Sequence, residues 1–145
     1  MASRPPQRGQ VINYSYLWHR EQSQGAEEGR KNRPCAIVLT LKDGRVVVAA
    51  ITHTQPKKGT QAIEIPASLK KQAGLDHEKS WVITSEVNYF RWPGMDLRPI
   101  PNKADRSFVY GQLPPTFTNL ITKTVQTNAR SRVLKHVKRD DPEDD

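Results

Sequence analysis

The sequence predicts a mainly β domain with some α, a small barrel with appended helices. Two β-branched apolar runs, residues 35–41 and 45–52, flank a Lys42-Asp43-Gly44 junction. An aromatic-rich alternation occupies residues 10–18, and after Pro114-Pro115 the apolar spacing becomes helical. Asp-Gly between apolar runs signals a hairpin, because a tight primed turn needs positive φ and Gly supplies it without steric cost. Pairing of 35–41 with 46–52 brings together the strand ends opposite the turn. Arg33 then lies beside Thr52, a cation next to a hydroxyl.

In chain order, residues 1–8 (MASRPPQR) offer almost nothing to bury and predict a flexible arm. In 10–18, Ile12, Tyr14, Tyr16 and Trp18 share one face and Val11, Asn13, Ser15 and Leu17 the other, the period of a strand. His19 to Lys31 reads as a long polar loop, and Pro34 biases Arg33 towards extended backbone. The unbroken apolar character of the two hairpin strands predicts burial on both faces or a small closed barrel. A basic loop at 55–60 precedes a short strand at 62–65. Residues 66–75 read as a short helix, with Pro66 in its first turn and Gly74 at the left-handed position after its last. Strands are expected at 81–84, 87–90 and 107–111, and residues 91–101 as an irregular, proline-punctuated edge.

The terminal helix carries an i, i+4 row of Phe117, Ile121, Val125, Ala129, Val133 and Val137, with Leu120 and Leu134 beside it. A four-residue step drifts about 40° per repeat on a 3.6-residue helix, so the helix should leave the surface or break near Asn128. The basic run RSRVLKHVKR is then its exposed end. The domain is expected over residues 9–138 and an acidic tail over 139–145.

Charge points to polyanions. The net charge is +8, yet five of the last six residues are acidic, so residues 1–139 carry 23 − 10 = +13. Such an excess concentrates nucleic acid near the surface, although it also describes a merely soluble basic protein. No apolar run reaches the ~20 residues of a membrane span, and MASRPPQR lacks the apolar core of a signal peptide. A cytoplasmic protein is expected. Cys35 stands alone at the start of an apolar strand and reads as a packed residue. The four histidines are widely spaced, so neither a metal nor another cofactor is expected.

Arg8-Gly9-Gln10-Val11-Ile12, a Gly-containing loop, Arg33-Pro34 followed by Cys35-Ala36-Ile37-Val38-Leu39, and then Ala50-Ile51-Thr52 resemble the PemK/MazF toxins of bacterial toxin–antitoxin systems. The likeness spans residues 9–137. Its most specific parts are the Arg-Pro opening the second strand and the Thr closing the third. Gln10 stands where the family has Asp, and His53, the WPGMDLRP segment and the basic C-terminus depart from its pattern. The resemblance implies an SH3-like barrel with a short helix and a C-terminal helix, a homodimer, a partner antitoxin, and metal-independent cleavage of single-stranded RNA. Arg33 matches the family's catalytic arginine, Thr52 its catalytic threonine, and Glu28 a supporting acidic position in the first loop.

The residues suit that chemistry in their own right. Attack of a 2′-hydroxyl on the adjacent phosphate builds negative charge that a preorganised guanidinium can meet with paired donors, and Thr52 can add a neutral donor. Arg33 is a poor acid at neutral pH, and His53 is the nearby candidate by intrinsic pKa, though strand alternation turns it to the opposite face from Thr52 and favours a surface or RNA-contacting role. Arg30, Lys31, Lys57 and Lys58 supply phosphate contacts, and Trp92, beside Pro93-Gly94 in a loop, is the stacking platform. Trp18 and Trp81 read as core. The plain alternatives are that Arg33 pairs with Glu27 or Glu28, that Thr52 is only a good strand residue, and that the lysines are a solvated surface. At the level of function, the alternative to a growth-inhibiting endoribonuclease is a non-catalytic nucleic-acid-binding barrel with an accessory role. Apolar strand edges and the Ile121/Val125 helix surface are the expected dimer contacts.

Overall fold

The two runs that flank Asp43-Gly44 form the central hairpin, buried on both faces. In the computed structural model, which describes residues 5–26, 31–94 and 96–139, β2 (Arg33–Thr40) pairs antiparallel with β3 (Arg45–Thr52). Alternate residues feed two separate cores. Ala36, Val38, Ala49 and Ile51 enter the first, whereas Cys35, Ile37, Val46, Val48 and Ala50 enter the second. β1 (Gln10–Tyr14) obeys the same rule, sending Val11 to the first core and Ile12 and Tyr14 to the second. Burial of both faces explains why these strands read as nearly continuous apolar runs.

The remaining elements are α1 (His19–Ser23), β4 (Ala62–Glu64), α2 (Ala67–Lys70), β5 (Trp81–Ile83), β6 (Glu86–Arg91), β7 (Val109–Gln112), α3 (Pro115–Arg130) and β8 (Lys135–Lys138). Eight strands make one sheet in the order β4-β5-β3-β2-β1-β7, with β6 also on β3 and β8 on β6. All pairs are antiparallel except β6 with β8. β3 is shared along its outer edge: Arg45–Val48 pair with β6, and Ile51 and Thr52 with β5. Among the described residues no pairing closes this order into a ring.

The hairpin turn differs from the expected primed pair. The Gly44 N–H donates to the Leu41 carbonyl at 3.1 Å and the Leu41 N–H to the Arg45 carbonyl at 2.8 Å, while only Gly44 of the turn has positive φ, at 91°. This is a three-residue connection ending in a left-handed glycine, which Asp43 satisfies without itself turning left-handed. The pairing is therefore offset from the symmetric one, with Cys35 opposite Ala50 and an irregularity between Ile37 and Leu39.

Sequence alternation overran the first strand. β1 stops at Tyr14, and the stretch read as a polar loop contains α1, whose Glu21 carboxylate accepts the Trp18 N–H at 3.0 Å. The segment read as an irregular edge folds over the second core, with Leu97 bridging Tyr14 and the Arg98 N–H donating to the Asn13 carbonyl at 3.0 Å. Arg8, read with the arm, donates to Asn119 Oδ1 at 2.7 Å and to Thr122 Oγ1 at 3.1 Å on α3.

α3 lays Phe117, Ile121 and Val125 on the first core. Ile121 and Val125 are 1% and 2% exposed, so the helix surface expected to meet a second copy is already spent inside the chain, and Leu120, expected to share in that packing, faces solvent. The helix breaks where its apolar row drifts off the surface. The Asn128 carbonyl accepts the N–H groups of both Val133 and Leu134, the Asn128 amide donates to the Thr84 carbonyl at 2.8 Å, and Arg132 takes φ 61°. The basic run is not a helix end: it reverses into β8, parallel to β6, and buries Val137.

Arg139, read as the start of the acidic tail, folds its side chain inward. Its guanidinium, 3% exposed, meets Asp96 Oδ1 at 2.9 Å, donates to the Ser15 carbonyl at 2.6 Å, and lies 5.7 Å from the centre of the Tyr14 ring. Residues 140–145 lie outside the described residues. Arg139→Met should lower unfolding free energy by about 1–3 kcal/mol, since the partly buried Asp96 would lose its nearer cation and keep Arg98 at 3.9 Å. Asp96→Leu combined with Arg139→Met should recover most of that loss, as urea midpoints of the two variants will show. No helix among the described residues is long and apolar enough to cross a membrane.

Candidate active site

The chemistry-bearing residues gather at the end of the hairpin opposite its turn. Arg33 opens β2 and is held on one side by β1, opposite Tyr14; Thr52 closes β3 and is held by β5, opposite Trp81. Continuing the Cys35–Ala50 register by two residues sets Arg33 opposite Thr52, so the juxtaposition expected from the sequence is kept despite the offset turn.

The two side chains differ in their bonding. Thr52 Oγ1 accepts the Thr54 N–H at 3.0 Å, which leaves the hydroxyl proton available for a second partner. The Arg33 guanidinium lies 5.1 Å from the centre of the Trp18 ring. Arg33 Nε is shut off from solvent and has no hydrogen-bond partner among the described residues. No described carboxylate pairs with this guanidinium, although Glu27 and Glu28, its alternative partners, lie outside the described residues, as does Arg30. A cation held over indole at the mouth of two clefts, with no carboxylate partner among the described residues, can present its terminal N–H groups to an anion.

Arg33 and Thr52 line two clefts at once, one of about 840 Å³ and one of about 430 Å³, and share both with Lys31 and Thr54. The wide cleft also receives Tyr16, Trp18, Lys57, Glu86 and Lys135. Lys58, expected beside Lys57, is exposed and lines neither cleft. Trp92 is not at the site. Its ring stacks on Phe90 at 6.2 Å and meets Phe108 edge-on at 5.7 Å, and the Trp92 backbone N–H donates to the Gly44 carbonyl. That places it at the hairpin turn, where covering the second core is worth more to an indole than standing in solvent.

Trp18, read as core, takes the aromatic place in the cleft. Its position just past the end of β1, against the polar His19-Arg20, was the available signal. Glu86 was missed outright because the strand was expected to begin at Val87. Its carboxylate accepts the His19 N–H at 2.8 Å and the Tyr16 hydroxyl at 3.2 Å. Burial pushes the Glu86 carboxyl above the usual carboxylate range, against the opposing pull of those hydrogen bonds and of Lys135. Tyr16 is raised in turn, first by burial and then by the charge of Glu86. Cys35 is no nucleophile: burial drives its thiol far upward, only partly offset by Arg33 and Arg139.

His53 turns away from the wide cleft. Its Nε2 faces Asp76 Oδ1 and its Nδ1 faces Glu78 Oε2, each at 3.1 Å. Tertiary folding thus assembles three side chains of metal-ligand type that sequence spacing kept apart. Lys70 already supplies positive charge there, 3.6 Å from Asp76 and hydrogen-bonded to the Glu78 carbonyl. The cluster is an ion network that fastens the end of β3 to the loop after α2. Burial alone would raise Asp76, but the Glu78 N–H, His53 and Lys70 together hold it below its ordinary value. A depressed carboxyl adds stability above its unfolded pKa and loses it as pH falls through the folded one. Asp76→Asn should therefore remove part of the stability that the protein loses below about pH 4. Half-exposure of this group keeps the effect under about 1 kcal/mol, read as a smaller shift of urea midpoint between neutral and acid pH.

No protein-family model matches the chain, and a search of characterised proteins finds no match.

Proposed function

We propose that the protein is an endoribonuclease that cleaves single-stranded RNA through attack of the substrate's own 2′-hydroxyl. The observation that carries this reading is the Arg33 guanidinium, held over Trp18 with no carboxylate partner among the described residues, opposite a threonine with a free hydroxyl proton. Lys31, Lys57 and Lys135 surround that pair with cations. The resemblance of the Arg33-Pro34 and Ile51-Thr52 segments to PemK/MazF toxins supports the same reading. It extends the proposal to an SH3-like barrel, a homodimer, and a growth inhibitor neutralised by an antitoxin.

In this mechanism the 2′-oxygen attacks phosphorus and the bond to the 5′-oxygen breaks, leaving a 2′,3′-cyclic phosphate and a 5′-hydroxyl. Arg33 and Thr52 donate to the phosphoryl oxygens as charge develops on them. Glu86, ionised, takes the proton from the 2′-hydroxyl and passes it through water to the leaving 5′-oxygen, which restores the carboxylate. Purified protein should cut a randomised single-stranded RNA pool, equally with and without EDTA, and leave cyclic phosphate ends. Replacing only the scissile 2′-hydroxyl by hydrogen should abolish cleavage and preserve binding. A pool that is bound but left intact, with and without divalent metal, would mark the protein as a non-catalytic binding module.

A further inference from the structure

The geometry points to a substrate that crosses a ridge: the nucleosides on the two sides of the reacting phosphate lie in different clefts, one against Trp18 and the other against Tyr110. This inference rests on the nuclease reading above and concerns how that site takes its substrate.

Arg33 and Thr52 belong to both clefts, so they form the divide between them. Each cleft falls within the ~300–1,000 Å³ that small-ligand sites occupy. The wide one offers the Trp18 indole together with Ile83 and Val133, an exposed valine at 54%. The narrow one offers the half-buried ring of Tyr110 beside Leu75. Each ring is half-buried and lines its own cleft on opposite sides of one guanidinium–hydroxyl pair, Trp18 with the part of its surface that Arg33 and Tyr16 leave uncovered. A mononucleotide needs a single cation and a single ring. A strand with its phosphate on the ridge needs what is found here, a flat apolar surface on each side and cations between. Lys31, common to both clefts, follows the backbone across.

Two consequences define the substrate class. The ligand must extend at least one nucleoside to each side of the phosphate, and those bases must be splayed apart. Stacked bases within a duplex do not meet that demand, so the site selects unpaired RNA by shape rather than by a base-pairing edge.

The experiment uses a short oligoribonucleotide with one 2′-hydroxyl, at the scissile position, and its all-deoxy counterpart for binding. Abasic residues replace the base on either side of that phosphate. For wild-type protein each abasic site should weaken binding about tenfold, the scale of one base–aromatic stack. Trp18→Leu should make binding indifferent to one abasic position and leave it sensitive to the other, and Tyr110→Leu should show the reverse. As a check independent of substitution, 5-iodouracil on either side should photo-crosslink wild-type protein, one to the peptide holding Trp18 and the other to that holding Tyr110. Both variants becoming indifferent to the same position, both probes crosslinking to one peptide, or no binding of the intact oligonucleotide would overturn the inference. Binding with the expected pattern but no cleavage of the 2′-hydroxyl substrate would instead sink the nuclease reading and leave the two subsites standing.

Discussion

Arg33→Ala is expected to slow RNA cleavage by about 10²–10³-fold while binding falls only modestly, because one preorganised donor to a developing oxyanion is worth about 3 kcal/mol in the transition state. On the proposed reading binding is spread over Lys31, Lys57, Lys135 and other cations, and the loss of one phosphate contact should lower the salt slope for single strands by only about 0.7. Arg33→Lys should restore charge without restoring rate. Lysine lacks the planar fork that stacks on Trp18 and offers paired donors to two phosphoryl oxygens. Single-turnover rates and fluorescence-anisotropy binding, measured at several salt concentrations on the same oligonucleotide, separate the two effects. A rate restored by lysine, or binding that falls as far as rate, would leave Arg33 as one surface cation among many.

Glu86→Gln should cost about 10²-fold or more in rate, the usual contribution of a positioned general base. The pH dependence carries the sign. Only ionised Glu86 accepts a proton, so wild-type activity should rise with pH through the Glu86 pKa. That rise should sit above the usual carboxylate range because burial raises this group. Glutamine removes the limb. Stability should move the other way: a carboxyl whose folded pKa lies above its unfolded value loses stability as pH rises through that interval, since folding disfavours the ionised form. Glutamine keeps an acceptor for the Tyr16 hydroxyl and the His19 N–H. The variant should therefore be at least as stable as wild type at neutral pH, and a large loss of both rate and stability would make Glu86 a structural residue only.

Local pattern carried the elements whose information is local. β3 runs from Arg45 to Thr52 as its apolar run predicts, and Gly74 takes the positive φ expected of it after the short helix. Pattern failed where a segment had to be assigned by what covers it. The basic run after α3 looked like an exposed helix because Val133 and Val137 continue a four-residue spacing. It became a strand because Asn128 captured two backbone N–H groups and β6 offered an unpaired edge. Trp18 and Trp92 exchanged roles for the same reason, since alternation and loop composition describe a ring's neighbours in the chain and not the cavity or core that waits for it.

The hairpin and the meeting of Arg33 with Thr52 were legible in the residues alone, because strand pairing across a short connection follows from residues close in the chain. What surrounds that pair comes from distant parts of the chain. Glu86 and Lys135 reach the wide cleft through β6 and β8, while Asp76 and Glu78 reach His53 from the loop after α2. These groups are brought near the pair by sheet order and helix packing, which depend on how two cores are filled at once and which no spacing along the chain encodes.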